Sequence, residues 1–158
     1  MEKVREADDS FKYRLMKDKD DQVLGAVWQT TVMHAALTRY GEIVNFDFRK
    51  ARSNDLNWTY GSFVVINGNR QFIPASESFY ITEDLQSYTF MINTTMDFTP
   101  SLNPISVILG YSDGFLNQVA VWKAIFSFIH ITLLLPRMVR ISGLKSLGQK
   151  YGLRLLSS

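Results

Sequence analysis

A chain of 158 residues that is 46% hydrophobic and 13% aromatic can bury a real core, which excludes a disordered polypeptide. The absence of cysteine excludes a disulfide framework and a thiolate zinc site. The net charge of +2 hides an asymmetry, because residues 1–113 hold 11 basic and 15 acidic residues whereas residues 114–158 hold six basic residues and no acid. Such a basic end suits nucleic acid or an anionic membrane as partner, and it equally suits a solvated tail. Both readings stay open.

Residues 1–21 carry seven acids and six bases, and Phe11, Leu15 and Tyr13 offer some helical spacing in an otherwise polar segment. They read as a charged N-terminal linker or solvated helix, too densely charged for a secretory signal. Gln22 to Gly41 are predicted as the first helix region, since Trp28, Val32, Ala35 and Arg39 recur at helical spacing. Gly41 suits the position after a helix end, and Arg39 complements the last carbonyls. The first strand, Glu42 to Phe48, contains Ile43, Val44, Phe46 and Phe48, apolar enough to expect cover on both faces. Asp47 lies inside it. An acid in that setting is costly unless it is paired, protonated or holding a metal, so Asp47 is the leading candidate site residue.

A second strand is predicted over Thr59–Ile66, and Asn67-Gly68-Asn69 then signals a tight hairpin with positive φ at Asn or Gly. The third strand runs from Gln71 towards Tyr80, and Pro74 within it marks an edge or a bulge. Thr82 is expected to cap a helix carrying Glu83 and Asp84 in its first turn, with Leu85, Tyr88 and Ile92 on one face. Ile105–Leu109 has the character of a central parallel strand, and Gly110–Gly114 that of a strand-to-helix turn. Leu116–Phe126 follow as a helix and Ser127–Leu135 as the last strand, stopped by Pro136. The 17-residue run Val119–Leu135 is shorter than a typical span of about 20 residues, and Lys123 and His130 interrupt it. It is therefore expected as helix then buried strand, not as a membrane segment.

Beyond Pro136, apolar residues from Met138 to Tyr151 approximate helical spacing, and Arg137, Arg140, Lys145, Lys150 and Arg154 lie between or beside them. Residues 136–158 thus read as a basic amphipathic tail, with those five residues as nucleic-acid candidates. The alternative is a tail that packs its apolar face on the domain. His34 and His130 lack a second ligand at metal spacing and are read as packing residues.

The expected architecture is an α/β fold in the ribonuclease H-like order β-β-β-α-β-α-β. It is a mixed sheet in which a three-stranded antiparallel meander is extended by parallel strands with crossover helices. The run Trp28-Gln29-Thr30-Thr31-Val32-Met33-His34, followed by Thr38-Arg39-Tyr40-Gly41-Glu42, resembles the RNase H-like domain of Mutator-type (MULE) transposases. It looks closer still to their domesticated SWIM zinc-finger relatives, though the cysteines of that finger are absent. Weaker matches at Ser62–Val65, Gly68, Ile81–Asn93, Val107–Leu109 and Phe128–His130 extend the resemblance over residues 22–135.

The resemblance implies three acids holding two divalent metals for phosphodiester chemistry. Asp47 occupies the first position. Tyr111 stands where the second acid belongs, with Asp113 two residues on, and no acid follows Asp113. One carboxylate cannot hold two hard cations. The resemblance therefore implies a catalytically inactive, nuclear, transposon-derived module without a resident cofactor, with Asp47 and Asp113 as vestiges. It would associate weakly with DNA or with a protein partner. The alternative is a Mg2+- or Mn2+-dependent nuclease fragment completed by a partner chain.

Overall fold

The computed structural model describes residues 8, 10–50, 57–110, 114–126, 129–135 and 153–157. The elements in chain order are β1 (Lys12–Lys17), β2 (Val23–Gln29), α1 (Thr31–Tyr40), β3 (Ile43–Lys50), β4 (Thr59–Ile66), β5 (Phe72–Tyr80), α2 (Leu85–Phe98), β6 (Ser106–Gly110), α3 (Phe115–Ile125), β7 (His130–Leu135) and β8 (Leu153–Ser157). The strands form one mixed sheet of eight, in the order β1-β2-β5-β4-β3-β6-β7-β8. From β1 to β3 every neighbour pair is antiparallel, and from β3 to β8 every pair is parallel. The α/β class and the expected meander, β3-β4-β5, are present.

The N-terminal third departs from the expected helices. Lys12–Lys17 is a strand, not a solvated helix or linker, and the helix predicted from Gln22 begins only at Thr31. Trp28 belongs to β2, and a strand followed by a helix happened to align it with Val32, Ala35 and Arg39. The helix start is set by Thr30, whose hydroxyl accepts from the Met33 amide at 3.2 Å, a standard N-cap arrangement. Likewise α2 is capped by Asp84 and not by Thr82. The Asp84 carboxylate accepts from the Ser87 amide at 2.8 Å, and the Thr82 hydroxyl donates to that carboxylate at 2.7 Å. At the other end, Leu153–Ser157 of the expected amphipathic tail forms a strand beside β7.

Two hairpins close with the same turn. In one, the Asp18 carboxylate accepts from the amides of Asp20 and Gln22, each at 2.9 Å. In the other, the Asn67 side-chain oxygen accepts from the amides of Asn69 and Gln71, at 3.0 and 2.9 Å. Both loops put their fourth residue in the left-handed region, Asp21 at φ 64° and Arg70 at φ 62°. The positive φ expected at Asn or Gly in the second loop thus falls on Arg70, as in loops that follow a type I turn with one left-handed residue. The side-chain oxygen of Asp18 or Asn67 holds that geometry together.

Pro74 marks a bulge. Phe63 pairs with Ser76 and Val64 with Pro74, so Ala75 is the extra residue on β5. β5 is not an edge, because β2 pairs along its other side from Tyr80 to Glu77. Gly25 makes that approach possible, since a Cβ there would lie 2.2 Å from the fully buried Tyr80 ring.

Alternation assigns the two faces. Val44, Phe46 and Phe48 of β3 share a face with Phe63 and Val65 of β4, Val27 of β2 and Val107 and Leu109 of β6, all buried. Against this face pack Tyr88, Met91 and Ile92 of α2, Val119 and Trp122 of α3, and Leu37 of α1. The Phe46 ring centroid lies 5.5 Å from that of Trp122, 5.0 Å from that of Phe63 and 5.2 Å from that of Phe48. The other face carries half-buried residues in alternation along β4, namely Tyr60, Ser62 and Val64. Where rings join helix and sheet, Tyr88 and Trp122 meet Phe46, Phe48 and Phe63 on the first face. Among the described residues, Phe46 and Phe48 are covered on that face, whereas Asn45 and Asp47 on the other are half-buried and Arg49 is exposed.

Candidate functional site

Asp47 faces the less covered side, together with Asn45 and Arg49. Cross-strand register sets a row through it. Tyr13 of β1 lies opposite Trp28 of β2, Trp28 opposite Glu77 of β5, Glu77 opposite Ser62 of β4, and Ser62 opposite Asp47. Gly110 continues the row on β6, because Leu109 is the partner of Phe46. A Cβ at Gly110 would lie 2.6 Å from Asp47 Oδ1, so the carboxylate in its observed rotamer packs against the glycine, and a side chain there would make it turn away.

Arg49 Nε donates to Asp47 Oδ2 at 2.6 Å, which supplies the pairing that an acid on this strand requires. The guanidinium is largely in solvent, with a side-chain exposure of 80% against 22% for Asp47. An ion pair of that kind contributes at most about 1 kcal/mol. It sets a positive charge against the Asp47 carboxylate.

Asp113, Arg137, Arg140, Lys145 and Lys150 lie outside the described residues. Arg154 sits on β8 opposite Thr132 of β7. His130 begins β7 and is exposed. Among the described residues, no three His, Asp or Glu side chains are grouped to hold a metal ion. The ligand set that two divalent ions need is thus not assembled by those residues. Among the same residues, no helix is long and apolar enough to cross a membrane.

Two features escaped the sequence reading. The first is a buried polar network around Gln29, which is 1% exposed. Its amide donates to the Ala75 carbonyl at 2.8 Å, giving the bulge residue a partner outside the β4 ladder. Gln29 Oε1 accepts from the Thr99 hydroxyl at 3.2 Å and lies 3.2 Å from His34 Nδ1, so the tautomer protonated on Nδ1 completes it. His34 is consequently a hydrogen-bonded packing residue, as its sequence context suggested. The second feature is the group Trp28, Glu77, Phe79 and Tyr60, in which Glu77 accepts from Trp28 Nε1 at 3.1 Å and from the Tyr60 hydroxyl at 2.7 Å. Desolvation first, then the hydrogen bond and charge of Glu77, push the Tyr60 phenol well above its ordinary pKa, so it stays a donor.

Burial lowers the His34 pKa, and the nearby Lys12 ammonium lowers it further. The folded state therefore binds fewer protons at this ring than the unfolded chain does. Stability from this group is complete above the unfolded value of about 6.5 and falls as pH drops through the folded value. The slope cannot exceed about 1.4 kcal/mol per pH unit for one proton. Comparing urea unfolding of wild type and His34→Asn between pH 7.5 and 5 checks this: the wild type should lose stability relative to the variant, and parallel curves would sink the assignment.

The chain matches no family model, and neither a curated protein nor a solved structure shows significant similarity to it.

Proposed function

We propose that this chain is a transposase-derived ribonuclease H-like domain that works as an interaction or nucleic-acid-associated module, not as a nuclease. The observation that carries the reading is the strand order β5-β4-β3-β6-β7, an antiparallel meander whose first strand continues into parallel strands. That order is the one the MULE resemblance implies, with the acid-bearing strand in the middle. The β1–β2 hairpin and β8 are additions at the two margins. Arg49 on Asp47 supports the inactive reading, because a guanidinium occupies the carboxylate that the family's chemistry would use for metal. The basic residues after Asp113 give the module its affinity for DNA, and the nucleus is the compartment such a module serves.

The test is binding of a labelled duplex by the full chain as salt is raised from about 20 to 200 mM. If about three basic residues contact phosphates, log K falls with log salt at a slope of about −3, and the double variant Arg137→Ala/Arg140→Ala reduces that slope by about 2. Absence of binding at the lowest salt would remove the nucleic-acid half of the reading. Nicking of supercoiled DNA that requires Mg2+ or Mn2+ and is lost in Asp47→Ala would replace the whole reading with the nuclease alternative.

A further inference from the structure

The less covered sheet face holds a group whose chemistry differs from that of the basic C-terminal third. Trp28 and Phe79 have ring centroids 5.5 Å apart, and Phe79 and Tyr60 are also 5.5 Å apart. All three rings are half-buried, so part of each remains open to solvent. Glu77 lies among them, with one oxygen held by the indole N–H and the other by the phenol O–H. Both donors are neutral. Among the described residues, none forms an ion pair with Glu77, and the cation that faces this group from β3, Arg49, is already paired with Asp47.

A fixed carboxylate set among aromatic faces is complementary to a cation. The rings attract positive charge through their electron-rich faces, and the carboxylate adds the Coulomb term. An apolar partner would bury Glu77 without a counter-charge, which is costly. A phosphate backbone would meet like charge at Glu77 and Asp47. A guanidinium fits best, because it stacks flat on a ring while its N–H groups reach carboxylate lone pairs left free by Trp28 and Tyr60.

We infer that the Trp28–Phe79–Tyr60 face with Glu77 at its centre docks an arginine side chain presented by an extended segment of a partner protein. This rests on the interaction half of the function proposed above and gives that partner a chemistry. It is independent of the DNA affinity assigned to the basic residues.

The experiment titrates the full chain with two labelled nine-residue Gly/Ser peptides, one carrying three arginines and the other citrulline at the same positions. The arginine peptide should bind about tenfold more tightly, a difference of about 1.4 kcal/mol. Glu77→Gln should bring the two peptides within about twofold, and Trp28→Phe should weaken the arginine peptide about threefold. Equal binding of the two peptides by the wild type overturns the inference without reliance on any variant. An arginine preference that Glu77→Gln leaves intact overturns it as well, once thermal melting has shown that variant folded. Dimerisation of the free chain that Glu77→Gln abolishes would assign the face to a second copy, and quenching of Trp28 by a single-stranded oligonucleotide would assign it to nucleic acid. Either result overturns the arginine partner. Duplex binding that persists while the peptides fail leaves the nucleic-acid reading standing and removes only this one.

Discussion

Phe46→Ala is expected to destabilise the fold by about 3–5 kcal/mol, a large part of the roughly 5–15 kcal/mol that holds a domain of this kind together. Phe46 is fully buried on the central strand, and its ring meets Phe48, Phe63, Tyr88 and Trp122 edge-on, the arrangement aromatic pairs favour. Removing it leaves a cavity between sheet and helices that four large rings cannot all move to fill. Phe46→Leu keeps most of the volume and should cost less than half as much. The neighbouring change Asp47→Ala, on the other face, should stay within about 1 kcal/mol. Urea unfolding at constant m-value measures all three. A loss below about 1 kcal/mol for Phe46→Ala would show that the ring cluster is not the centre of the core.

The second large effect concerns Gln29. Gln29→Ala removes the donor to the Ala75 carbonyl and the acceptor used by Thr99 and His34, all in a site where Gln29 and Thr99 are at most 1% exposed. Each buried polar group left without a partner costs about 1–3 kcal/mol, so the expected loss is about 2–4 kcal/mol. Gln29→Met separates the causes, since it restores the volume but not the hydrogen bonds. If the methionine variant unfolds at the same urea concentration as wild type, the network contributes nothing and the cost of the alanine change is cavity alone.

The sequence was most readable where a strand was both central and apolar. β4 falls on the predicted Thr59–Ile66, and the short run at Ile105–Leu109 became the parallel strand β6 with its boundaries shifted by one residue. β1 was hidden because it is an edge strand. Met16 is its only buried residue, and Lys12, Arg14 and Lys17 protect the edge, leaving Tyr13 and Leu15 as too short an alternation to mark a strand. The helix misread from Gln22 shows a different limit: spacing alone cannot see a strand-to-helix junction, whereas the adjacent Thr30-Thr31 was a usable stop-and-start signal. Asp47 was placed on the right strand, but no local pattern marked Arg49, two residues on, as its partner. The group around Glu77 had no signature at all. Its members come from three strands and meet only through register, which depends on the Ala75 bulge and the β2–β5 pairing and not on any local pattern.

The alternation of burial along the described strands also changes how variation along this chain should be interpreted. On β3 the even positions 44, 46 and 48 answer to the helices, and the odd positions 45, 47 and 49 answer to whatever meets the molecule from outside. On β4 the parity is reversed, with 59, 61, 63 and 65 inward. Two adjacent letters can therefore drift under unrelated pressures, one set by packing volume and the other by a visitor. A lineage of such chains would keep its architecture while rewriting every second residue of these strands.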